Sequence, residues 1–235
     1  GVGAGQPGHH RAALGADLDG DPAHGFEIIR ARRRKTGFDD VHPETGELWF
    51  TDNQVDGMGD DIPPGELNRQ TAAGQHFGFP WTNSQVEIPE YKDVPRPEGV
   101  TFIEPQLELT AHAADLGMRF YHDSSFPEEY HGGIFWAQHG SWNRTTPVGA
   151  RVMFTALDEE GNAVGAEVFA DGWLNEETGE YRGRPMDIEF LPDGKALVLQ
   201  RKAGVITLAN FATGDKTDLT GLPNLHEDDA ADRHF

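Results

Sequence analysis

His42–Trp81 reads HPETGELWFTDNQVDGMGDDIPPGELNRQTAAGQHFGFPW. Pro43, Glu44, Thr45 and Gly46 have the chemistry of a hairpin turn, and Leu48–Thr51 alternates as a strand does. The strand empties into a glycine-rich stretch holding Asp52, Asp56, Asp60, Asp61 and Glu66. A rigid strand that delivers carboxylates and free carbonyls into one loop is a common way to build a cation site, because hard cations take oxygen ligands. The same composition also suits a solvated loop on a very acidic protein, and spacing alone leans that way.

Working outward, short strand patterns recur between the turn dipeptides Asp19-Gly20, Thr45-Gly46, Glu160-Gly161, Asp193-Gly194 and Thr213-Gly214. Candidate strands are Phe26–Arg30, Glu47–Thr51, Gly133–Ala137, Val152–Leu157, Ala166–Ala170, Ile188–Leu191, Ala196–Leu199 and Val205–Asn210. The best helix candidate, Glu66–Ala73, amounts to one or two turns. The fold class is therefore all-β. Residues 18–52 share a strand–turn–strand–loop unit with residues 157–173 and 183–200, and such hairpin-rich repetition points to the blades of a β-propeller. With roughly 40–50 residues per blade, the chain supplies about four to five.

Bulk properties narrow the function. The 235 residues carry 40 acidic and 19 basic side chains, a net charge of −21, and only five of the bases are lysines. Such a surface repels nucleic acid and anionic lipid, and it also suits solubility in high salt. No run of about 20 apolar residues is present. Gly1–Ala16 lacks the apolar centre of a secretory signal, which fits a mature secreted chain or a trimmed one equally well. The absence of cysteine removes disulfides, thiol catalysis, zinc–thiolate sites and CxxCH haem attachment. No Gly-x-Ser-x-Gly, phosphate-binding loop or HExxH occurs. Asp17, Asp19 and Asp21 resemble the start of an EF-hand, but Pro22 and Ile28 replace its glycine and terminal glutamate. Residues 1–17 read as a divergent or poorly ordered segment, 18–222 as the propeller domain and 223–235 as a charged tail.

The segment from His42 to Trp81 resembles the signature region of the soluble PQQ-dependent glucose/sorbosone dehydrogenase family. Members carry a segment close to HPETGELWFTDNxxDxMGDDxPPxELN…GxHFGFP. Two further blocks are similar to the same family and follow in its order: LGMRFYHDSSFPEEYHGGIFWAQHGSWNR (Leu116–Arg144) and GRPMDIEFLPDGKALV (Gly183–Val198). The likeness covers the family's middle and C-terminal part. It implies a six-bladed propeller that uses calcium and pyrroloquinoline quinone (PQQ) to oxidise an aldose or sorbosone-like sugar at C1. It also implies a periplasmic or extracellular location and a separate electron acceptor, and it is compatible with a homodimer. A calcium-binding propeller without redox chemistry is the alternative.

PQQ is a planar tricarboxylate, so its site needs cationic forks and a stacking surface. The resemblance assigns the cofactor contacts to Arg33, His139, Trp142 and Arg184. Arg34 stands where the family has asparagine. It places the cofactor calcium on the carbonyls of Gln54 and Val55, where members often read Gly-Arg, and a structural calcium on Glu66 and the Phe77 carbonyl. The family's general base is a histidine of an early blade, and no histidine here has a matching context. His112 matches a family position with an architectural or pocket-lining role.

Overall fold

The computed structural model describes residues 36–201 and 205–219. Strands β1 (Thr36–Val41), β2 (Leu48–Asp52) and β3 (Gly65–Gln70) form an antiparallel meander. Between β3 and the strand that completes the sheet lies an insertion. In it β4 (Gln75–His76) pairs in parallel with β7 (Thr101–Phe102), and β5 (Thr82–Asn83) pairs with β6 (Val86–Glu87). Strand β8 (Leu107–Leu109) then joins β3, giving the order β1-β2-β3-β8. The second sheet runs from β9 (Asp115–Phe120) through β10 (Ile134–Gln138) and β11 (Arg151–Thr155) to β12 (Glu167–Ala170). A small hairpin of β13 (Leu174–Asn175) and β14 (Glu180–Tyr181) leads to the third. That sheet meanders through β15 (Pro185–Leu191), β16 (Lys195–Gln200), β17 (Val205–Asn210) and β18 (Asp215–Leu219).

Each sheet is a four-stranded meander with its first strand against its neighbour's: β1 lies beside β9, and β9 and β10 beside β15. Among the described residues there are three such blade-like sheets. The β4–β7 insertion and the β13–β14 hairpin lie outside these three sheets. Among the described residues the three sheets form an arc that does not close into a ring. The candidate strand Phe26–Arg30 lies outside the described residues, as do residues 1–17 and 223–235.

Strand β10 shows why the middle sheet sits where it does. Ile134, Phe135, Trp136 and Ala137 are all fully buried, so both strand faces are covered and the sequence reads as an unbroken apolar run. Its alternate residues enter different cores. Ile134 and Trp136 pack with Trp49, Leu67, Leu109, Met118 and Met153 between the first two sheets. Phe135 packs with Tyr121, Phe126, Phe154, Ile188 and Val198 between the second and third. The helix candidate at Glu66–Ala73 is a strand instead: Glu66 pairs with Asp52 on one side and Glu108 on the other. Two-sided pairing outweighs the local helix preference of Glu, Leu, Arg and Gln. No α-helix occurs among the described residues, and no helix there is long and apolar enough to cross a membrane.

Candidate functional site

Strand β10 runs directly into His139–Arg144. The amides of His139 and Gly140 donate to the carbonyls of Ala114 and Ala113, both at 2.8 Å, which pins the start of this loop to the residues before β9. Arg184, just ahead of β15 in the next sheet, reaches it: Nη1 donates to the Gly140 carbonyl at 3.2 Å. The Arg184 guanidinium lies over the Tyr181 ring, 3.9 Å from its centroid. His139 Nδ1 is 3.3 Å from the Pro185 carbonyl, and Trp142 stands 67% exposed in the same loop. The structure thus gathers His139, Trp142 and Arg184 from two sheets. Arg33 lies outside the described residues. Tyr181 was missed by the sequence reading, since TGEYRGR looks like any charged hairpin.

The acidic loop that follows β2 is held by the same segment. The Arg144 side chain, 12% exposed, donates to the Asp60 carbonyl, to the Ala111 carbonyl at 3.2 Å and to the Asp61 carboxylate at 3.1 Å. The Thr145 amide donates to the Asp60 carboxylate at 3.0 Å. Asn143 Nδ2 lies 2.8 Å from Asp56 Oδ1 and 3.2 Å from His112 Nδ1. His112 Nε2 is 2.8 Å from the Gly59 carbonyl and 3.1 Å from that of Ile62. Only one tautomer satisfies all of these contacts, with Nε2 donating and Nδ1 accepting. His112 is therefore architectural. Much of the oxygen that suggested a cation site is turned toward Arg144, Asn143 and His112. Gln54 and Val55 are half-buried between Asn53, whose side chain donates to the Asp115 carbonyl at 3.0 Å, and Asp56. Among the described residues no group of three or more His, Asp or Glu side chains is arranged to hold a metal.

A second feature lies beyond β3. Glu66, Phe77, Ser84, Arg96, Phe102 and Glu104 line a cavity of about 240 Å³ between β3 and the β4–β7 insertion. Glu66 is 1% exposed. Asn68 Nδ2 donates to its Oε2 at 2.9 Å, and the Ser84 amide donates to its Oε1. Burial pushes the Glu66 carboxyl up to about 7, with Glu104 and Glu108 adding to the rise and the bonds from Asn68 and Ser84 opposing it. Ser84 Oγ donates in turn to Glu108. Glu66 and Phe77 therefore share one cavity; Gln54 and Val55 do not line it.

Another buried acid lies deeper. Asp115, at the head of β9, is fully buried. Its Oδ1 accepts from Trp136 Nε1 and Gln138 Nε2, both at 2.8 Å. Burial pushes its carboxyl up to about 6, against those two bonds and the charge of Arg151.

No known protein family's sequence profile matches the chain. A curated relative from Borreliella burgdorferi, described only as an uncharacterized protein, is 40% identical over 168 residues, a match that takes in 70% of this chain and 43% of the relative. Three solved structures are similar. The calcium and iodide structures of a Trichoderma reesei Carbohydrate-Active Enzymes Family AA12 protein each give a TM-score of 0.51 at 21% identity. They cover 78% and 79% of this chain, and 51% and 52% of their own. The holo form of the pyranose dehydrogenase PQQ domain from Coprinopsis cinerea gives 0.50 at 17% identity, covering 78% and 53%. The chain thus has the fold of these PQQ-domain and AA12 structures over most of its length, and it spans about half of theirs.

Proposed function

We propose that this chain belongs to a PQQ- and calcium-dependent oxidoreductase that oxidises an aldose or sorbosone-like sugar at C1 by hydride transfer to the quinone. A separate acceptor takes the electrons, and the protein works in the periplasm or outside the cell. The observation that carries this reading is the convergence at the end of β10. There a guanidinium over the Tyr181 ring, the His139 ring and the exposed indole of Trp142 come together at one loop. That set suits a planar polycarboxylate: the fork binds a carboxylate and the indole offers a stacking face.

When bound, PQQ supplies the hydride acceptor. The chain's own part is to bind and orient it. Arg184 would hold a carboxylate, while His139 and Trp142 would border the ring. Arg144 fixes their loop against the acidic loop, so the contacts are set before binding. Calcium fits the Glu66 cavity on physical grounds: a carboxyl lifted to about 7 beside Glu104 and Glu108 is relieved by a cation, and the Phe77 carbonyl lies in the same cavity. The Gln54 and Val55 carbonyls are the proposed ligands of the cofactor calcium.

A calcium-binding propeller without redox chemistry is the second reading. It is favoured by His112 and His131, whose Nε2 atoms are each turned to a backbone carbonyl. Titration with PQQ and calcium, followed by dye reduction with glucose, separates the two. Dye reduction that needs both additions supports the oxidoreductase. A flat trace at saturating PQQ, with calcorimetrically measured calcium binding that Glu66→Gln abolishes, sinks it in favour of the second.

A further inference from the structure

The Arg184 fork does not stand alone. Tyr181 comes from the β13–β14 hairpin, outside the three sheets, yet it touches Arg184 and the loop that carries His139 and Trp142. Its hydroxyl donates to the Val148 carbonyl at 2.8 Å and lies 3.1 Å from Ser141 Oγ. The Ser141 amide also donates to the Val148 carbonyl, at 3.0 Å, and Ser141 Oγ accepts from the Val148 amide at 3.1 Å. The phenol thus joins a hydrogen-bonded neck that closes the loop carrying Trp142.

The ring fills two further roles. Gly140 has φ +105° and sits so close that a Cβ there would come within 2.5 Å of Tyr181 Cε1. The ring therefore occupies the space a side chain at position 140 would need. Its face carries the Arg184 guanidinium, whose Nη1 is tied to the Gly140 carbonyl. A guanidinium stacked on a ring keeps its donors directed in one plane. A carboxylate fork needs that plane set beforehand, since ordering a long side chain at the moment of binding costs affinity.

We propose that Tyr181 is the positioning residue of this anion site, its ring presetting the plane of Arg184 for a planar polycarboxylate. The ligand class rests on the quinone reading above; the ordering of Arg184 does not.

The test uses the full chain with Tyr181→Phe, which keeps the ring, and Tyr181→Leu and Tyr181→Gln, which remove it. The two ringless variants are made in parallel so that a folded one is read. PQQ binding is followed by calorimetry in calcium buffer, and order at Arg184 by the ¹⁵N–¹H nuclear Overhauser effect of its Nε, assigned through Arg184→Lys. The expected result is a loss of about tenfold in PQQ affinity and a fall in the Arg184 Nε effect for the ringless variants. Tyr181→Phe should retain both nearly in full. A merely structural tyrosine would lower the melting temperature and leave Arg184 ordered. Ringless variants that keep an ordered Arg184, or a Phe variant that loses as much as they do, overturn the proposal. If the wild-type chain takes up no PQQ, the quinone reading fails, and the Nε effect alone decides for or against Tyr181.

Discussion

Asp115 shows how a single residue sets conditions for the rest. Its Oδ1 is satisfied by Trp136 and Gln138, while Oδ2 is buried with no hydrogen-bond donor among the described residues. Gly65 of β3 packs over that oxygen, where a Cβ would come within 2.7 Å. Burial lifts the carboxyl from an ordinary 3.8 to about 6. The folded state therefore holds this proton more tightly than the unfolded state. The resulting contribution to stability is complete below about pH 4 and is lost as the pH rises through 6. Replacing Asp115 with Asn keeps an oxygen for Trp136 and Gln138 and removes the titration. Between pH 4 and 7.5 the wild-type chain should lose on the order of 2 kcal/mol more stability than Asp115→Asn. Urea midpoints measured across that range decide the matter, and parallel curves for the two proteins would refute it.

At the scale of elements, two loops from different sheets are closed onto each other by Arg144, Asn143 and His112. Truncating Arg144 to Ala removes the bonds to Asp60, Ala111 and Asp61 and leaves two part-buried carbonyls without this donor, at a cost of roughly 1 kcal/mol. The Thr145 amide, which donates to Asp60, should then exchange with solvent markedly faster. Arg144→Lys should restore little, because an ammonium cannot span the same fork. Unchanged protection at Thr145 would mean that the loops are held by something other than Arg144. This clamp was not legible in the sequence, since nothing in HGSWNR indicates that its arginine reaches back to Asp60 and Asp61. Strands β10, β16 and β17 were legible because apolar runs and alternation mark buried faces. The inner strands β1 and β9 were not: TGFDDV and DLGMRF carry glycine and acids where a strand pattern needs apolar residues. Gly117 of β9 has a physical reason to be glycine, because a Cβ there would lie 2.6 Å from the Asp187 backbone on β15. Glu66 and Phe77 could be picked out from the signature segment, whereas their shared cavity depends on the insertion between β3 and β8. Tyr181 could not be found, because its partners Gly140, Val148 and Arg184 meet only in the folded chain.

For the whole molecule, the end of the arc matters most. The third sheet turns Ala196, Val198, Thr207 and Ala209 inward, all of them buried. The opposite parity places Leu197 across from Leu208, Leu199 across from Ile206, and Ile206 across from Leu219. Leu199 and Leu219 are each 41% exposed. Leu197, Ile206 and Leu208, on the same side, are half-buried. Contiguous apolar sheet faces favour association, and we propose this one as the contact between two copies of the chain. A net charge of −21 opposes two copies meeting, but that repulsion is screened: the Debye length falls from about 10 Å at 0.1 M salt to about 3 Å at 1 M. Micromolar protein should therefore sediment as a monomer at low ionic strength and move toward a dimer as salt rises. Leu199→Glu places a charge at the centre of the face and should hold the chain monomeric throughout. If the unsubstituted chain also stays monomeric in 1 M salt, a second copy is not what covers this face. If Leu199→Glu dimerises as readily as the unsubstituted chain, the contact lies elsewhere on the molecule.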